Sequence, residues 1–395
     1  MPPFKEELET LASVVSSTIA LITQLETVVA SVVSQKHPEP DNSSASDSND
    51  IAPSPAPIEA LSLAHDSATL IKAHATKISL FIINEPFSPN AIVKVLRDLC
   101  AGAIPGLASA VQLCTAARYT QTIRRDLAWQ SGRVLKELRE LVARVPADGR
   151  ILSDAKKNAA AGAKGGKGSI AATGVLWAAC DDVVAFATRG FAGNLVQKVE
   201  QFRDTLKDVM EELKEWGEET RDDDEDEDED DEDDDEDDDD GVDGITKNLE
   251  STHVSDTQAM LDDLMNSQQY IPSDDPDRIR ERLESCLKRL RLTALLYQAT
   301  IKRRLKPLPK LPPTAGSPIP ARLDEILPLL KNLPERFGSL AMAFYELEPS
   351  EIDRLMDQCF FEAFAVSELL VKPWDGPKDE FTDWALRFQV EIKKG

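Results

Sequence analysis

From Leu8 onward the apolar side chains fall at Leu8, Leu11, Val15, Ile19, Ile22, Leu25, Val29 and Val32, in steps of three or four. That spacing follows the turn of an α-helix, about 3.6 residues, and misses the two-residue repeat of a strand. The intervening Ser, Thr, Gln and Glu residues give the helix one buried stripe and a polar outer side, as expected of the outer member of a bundle. The same rhythm recurs from Pro57 to about Ile83, after Ser88-Pro89, from near Thr120 to Val145 with Ile123, Leu127, Trp129 and Val134 among its apolar residues, and from Ser169 to Glu219. Beyond Asp275 and Asp277, either of which can cap a helix, it returns through Ile279, Leu283, Leu287 and Leu290, then over Arg322–Leu347, Glu351–Val371 and Pro377–Lys393. No segment alternates for long enough to propose a sheet. The expected fold is all-α, built of antiparallel helical bundles. Proline and glycine punctuate it: Pro105 should kink or interrupt the third helix, Gly190 and Gly193 mark a bend or a close helix contact, and Pro334 predicts a break.

Composition divides this helical chain. Asp222–Asp240 is acidic without interruption and carries 19 of the 26 net negative charges, which leaves −7 for the rest. Such a run has no apolar surface to offset the entropy of ordering. The expected organisation is an N-terminal bundle over 1–217, with a disordered loop at 36–56 and a Gly/Lys loop at 155–168. An acidic disordered linker follows at 218–251, then a C-terminal bundle over 252–395 with a Pro-rich linker at 307–320. A mildly acidic body gives no electrostatic reason to approach nucleic acid or anionic lipid, and makes basic proteins the better partners.

The chemistry-bearing residues are sparse. Cys100, Cys114, Cys180, Cys286 and Cys359 are odd in number and far apart, the usage of a reducing compartment, and neither C-x-x-C nor H-E-x-x-H occurs. No metal or cofactor is expected. Acidic residues at the N-terminus do not fit a signal peptide, and nowhere do eighteen apolar residues follow one another. These readings predict a protein of the cytoplasm and nucleus with no membrane segment. The Ala155–Ser169 stretch lacks the Walker spacing, having Ala161 and Gly168 where Gly and Ser or Thr are needed. No carboxylate pair sits isolated in apolar surroundings at helical spacing, so nothing points to an enzyme.

One stretch is distinctive. In Gly174-Val175-Leu176-Trp177-Ala178-Ala179-Cys180-Asp181, helical spacing puts Leu176, Ala179, Cys180 and Val183 on one face and Trp177 with Asp181 on the next. The expected role is packing, with a buried Trp177 ring whose indole N–H finds Asp181 or a neighbouring helix. Asp181 and Asp182 would raise the Cys180 thiol pKa and disfavour nucleophilic chemistry. This motif, placed mid-chain ahead of a long helix and an acidic run, resembles the cyclin-D-binding (GCIP) family, with Ala178 standing where Glu is common. The resemblance implies an all-α, non-enzymatic protein whose partners are cyclin-like or helix-loop-helix proteins, in cell-cycle or transcription control.

Three other features fit a regulatory chain. Lys306, Pro309 and Pro312 have the spacing of an SH3 ligand. Ser54 and Ser317, each followed by Pro in a linker, are candidate phosphosites. The acid run supports an alternative function, an acidic chaperone of histones or ribosomal proteins. The oligomeric state is left open.

Overall fold

The structure is a computed structural model that describes residues 3–34, 59–158, 168–218, 270–314 and 316–394. Among the described residues there is no strand, and the fold is all-α. Two compact units divide the chain: Met1–Lys198 with Lys302–Leu327, and Val199–Ile301 with Pro328–Gly395. The acid run, the 36–56 loop, Ser54 and most of the Gly/Lys loop lie outside the described residues.

The first unit contains α1 (Pro3–Ser34), α2 (Ala60–Ile83), α3 (Pro89–Asp98), α4 (Ile104–Leu113), α5 (Ala116–Tyr119), α6 (Gln121–Val142), α7 (Asp154–Asn158) and the first part of α8 (Ser169–Glu218). α1 packs along α6 and α3, and α2 along α4. Leu11, Ile22, Val29 and Val32 supply the buried stripe of α1 together with Thr18, while its other Ser and Thr residues face outward. α3 and α4 are joined by a π-helical turn, Leu99–Ala103, which ends just before Pro105 at the start of α4. The chain is therefore helical without interruption from Pro89 to Leu113, the wider π turn accommodating a proline that has no N–H to donate. Thr120 caps α6, its Oγ1 accepting the Ile123 N–H. Trp129 departs from the apolar pattern of that helix: it is 60% exposed, because it lies between the buried positions Leu127 and Val134 rather than on their face.

At Gly190, α8 leaves helical geometry with φ +71° and ψ −171°. The Pro-rich segment lies against this kink, and Lys310 O accepts the Phe191 N–H at 2.6 Å. A Cβ at residue 190 would sit 2.6 Å from that carbonyl, so only glycine fits both the dihedral and the close approach. Asp324 belongs to the same unit and accepts the Gln121 N–H at 2.8 Å, at the N-terminus of α6.

The second unit contains the rest of α8 with α9 (Ile279–Thr300), most of α10 (Ile319–Tyr345), α11 (Pro349–Val371) and α12 (Glu380–Glu391). Asp275 caps α9, its carboxylate accepting the N–H groups of Ile279 and Arg280 at 2.7 and 2.9 Å. α12 opens on a capping box of Asp379 and Thr382. The expected break at Pro334 does not occur, and α10 runs through it. Burial of Leu330, Leu333 and Phe337 around that proline offsets a penalty of about 3 kcal/mol. Aromatic contacts fill the core, Trp216 against Phe344 and Tyr345 and Phe337 against Phe360.

α1 and α8 each hold an 18-residue window, of mean hydropathy 1.4 and 1.6, long and apolar enough to cross a membrane by length and composition alone. The run-length argument against a span is therefore too strict. Both helices nonetheless place buried side chains in the packed units just described.

Candidate interaction sites

Because α2 and α8 run antiparallel, polar residues spaced by one turn on each can meet in succession. Thr173 donates to Ser79 Oγ at 3.0 Å, the Trp177 indole N–H donates to Thr76 Oγ1 at 3.1 Å, and Lys72 Nζ reaches both Asp181 oxygens at 2.6 and 2.8 Å. One turn round, Asp182 accepts from Arg133 of α6 at 2.7 Å. The ladder grades from buried at Thr173 to exposed at Asp181, so its inner bond sits in the lower dielectric and its outer ion pair is screened by water.

The motif residues divide accordingly. Leu176, Ala179, Cys180 and Val183 are buried against the unit core, and Val175 is half-buried. Gly174 is exposed, and a Cβ there would meet nothing. Trp177 is not fully enclosed, being 37% exposed, and its partner is Thr76 rather than Asp181. Burial pushes the Cys180 thiol up to about 12, with Asp181 adding to the effect and Lys72 opposing it. A thiol held protonated in this way is a packing group.

The SH3-type residues are unequally available. Lys306 and Pro309 are exposed, but Pro312 is half-buried and the backbone between them is tied to α8 through Lys310. Ser317 Oγ accepts the Ile319 N–H at 3.3 Å, so the hydroxyl already serves the start of α10. No cluster of three or more His, Cys, Asp and Glu able to hold a metal occurs among the described residues.

Two features escaped the sequence reading. Glu59 accepts from Arg118 at 2.7 Å and from the Tyr119 hydroxyl at 2.8 Å, on the wall of a cavity of about 420 Å³ that His65, Lys310 and Pro312 also line. Burial, reinforced by Glu59, raises the Tyr119 phenol, which keeps it a neutral donor. The second is a groove of about 640 Å³ between the C-terminal end of α1 and α6, beside Trp129. Neither has a local signal, since each joins residues from separate helices.

Residues 64–219, from within α2 past the end of the described part of α8, match the family described as Grap2 and cyclin-D-interacting, N-terminal. That stretch is similar to the N-terminal domain of the GCIP family. The match takes in both sides of the α2–α8 ladder and the whole Gly174–Asp181 motif, the stretch that carries the resemblance in the sequence. An uncharacterized protein of Schizosaccharomyces pombe is 29% identical to this chain over 150 residues, 38% of the chain and 41% of the relative. The chain thus spans about two fifths of the length of the curated relative it matches.

Proposed function

We propose that this GCIP-like chain is a non-enzymatic regulatory protein that binds cyclin-like or helix-loop-helix proteins through helical faces, acting in cell-cycle or transcription control in the cytoplasm and nucleus. The observation that carries the reading is the family match over 64–219, whose description is that of a cyclin-D-interacting domain. The fate of the motif is consistent with it. Trp177, Cys180 and Asp181 are occupied in packing α8 against its neighbours, which is how a scaffold that presents surfaces uses them.

The test is affinity capture from cell extract with the intact protein and with a deletion of Asp222–Asp240, each at low and high salt. Recovery of cyclin or helix-loop-helix partners by both proteins, surviving salt, is the expected result. Capture of basic proteins that disappears on deletion or in salt would instead assign the activity to the acid run, through charge attraction that salt screens.

A further inference from the structure

One row of side chains on α11 is left open. The core stripe of that helix runs through Met356, Cys359, Phe360, Ala363 and Val366. Asp357, Phe361 and Phe364, spaced by four and three residues, form a second row beside it. Phe361 is 71% exposed, the most open large apolar side chain among the described residues. It does not stand alone on the surface. With Phe360, Phe364 and Lys393 it lines a groove of about 630 Å³ that Arg289 of α9 also faces, an apolar surface with a charged rim of the kind that marks a protein contact.

The charges on this groove select the occupant. The Arg289 guanidinium carbon lies 3.8 Å from the centroid of the Phe360 ring, and its Nε donates to Ile392 O, just past the end of α12, at 3.0 Å. That contact fixes the fork and leaves its two Nη groups, the end-on pair that a carboxylate can take. Lys393 Nζ lies 4.1 Å from the centroid of the Phe364 ring. Neither cation has an ion pair among the described residues. Asp357 lines the same groove, so two cations stand there against one carboxylate. Burial lowers the Arg289 pKa more than Asp357 raises it. An apolar occupant without carboxylates would take Arg289 further out of water with nothing to pair it, whereas an acidic one compensates it.

We propose that this groove of the second unit docks an acidic amphipathic segment of a partner protein, whose leucine or methionine side chains pack on Phe361 and Phe364 while its carboxylates pair with Arg289 and Lys393. Phe361 is the apolar anchor, and the two ring-bound cations set the register of the acidic residues around it. The groove lies outside residues 64–219 and does not depend on the reading of that stretch.

Fluorescence anisotropy of the full chain with a fluorescein-labelled helical peptide tests this. The probe carries leucines one turn apart flanked by glutamates, and its control carries glutamine in place of each glutamate. The acidic probe is expected to bind with a Kd of about 10–100 µM, although the chain carries a net charge of −26 that repels it. It should bind about tenfold tighter than the control and lose affinity in salt. Phe361→Ala should weaken binding about tenfold and Lys393→Gln about threefold, with the helical circular dichroism unchanged because both side chains are exposed. A probe that does not bind, that binds Phe361→Ala as tightly as wild type, or that binds no better than the glutamine control would each overturn the proposal. So would a dimer in sedimentation velocity that Phe361→Ala dissolves, which would give the groove to a second copy of the chain.

Discussion

Gly174 and Gly190 stand on the same helix for opposite reasons. Gly174 has helical geometry and open space around it, so Gly174→Ala should raise stability by about 0.5–1 kcal/mol through reduced chain entropy. Gly190 holds φ at +71° with Lys310 O against it, and Gly190→Ala should cost about 2–3 kcal/mol. Urea unfolding of the two variants side by side measures both. Asp324 supplies a pH signature at the same scale. Burial raises its carboxyl from 3.8 to about 6, outweighing the N–H groups of Gln121 and Thr122 and the charge of Arg125. Its contribution to stability is therefore complete below about pH 4 and is lost as the pH rises through 6. Relative to Asp324→Asn, the wild type should lose unfolding free energy between those values and stay level above them.

The α2–α8 pair shows what could be read at the scale of an element. The spacing of Leu176, Ala179, Cys180 and Val183 is enough to place them on one buried face, and Leu176→Ala should cost about 2–5 kcal/mol. Trp177→Phe keeps most of the packing and removes the bond to Thr76, so it should cost only about 0.5–1.5 kcal/mol. Thermal unfolding monitored on α-helical signal ranks the two. The partners Ser79, Thr76 and Lys72 were not legible, because nothing local in α2 distinguishes a side chain facing another helix from one facing water. Trp129 and Pro334 were misread for other reasons. Hydrophobic type pointed inward for Trp129 while its angular position points out, and the break at Pro334 was overridden by the apolar contacts on either side.

For the whole molecule the thiols report how completely the units close. Cys114, Cys180, Cys286 and Cys359 are buried, and burial raises all four, with Cys180 and Cys359 reaching about 12. Only Cys100 is partly accessible, and Thr18 Oγ1 lies 3.3 Å from its sulfur. A chromogenic disulfide reagent should therefore label Cys100 first in the native protein, and the other four only at the rate of opening. Rapid labelling of more than one thiol would show that a unit opens easily.

Helical class, the capped start of α9 at Asp275, the bend at Gly190 and the family likeness were all determined by the sequence itself. Each rests on interactions within a few residues of the chain: periodicity, a capping carboxylate, a missing Cβ. Which helix faces which was decided only in three dimensions. The antiparallel α2–α8 register, the Pro-rich segment against the kink of α8, the Glu59–Tyr119 cavity and the α1–α6 groove all join residues far apart in the chain. Periodicity says that a face must be covered; only packing geometry and the pairing of buried polar groups select what covers it.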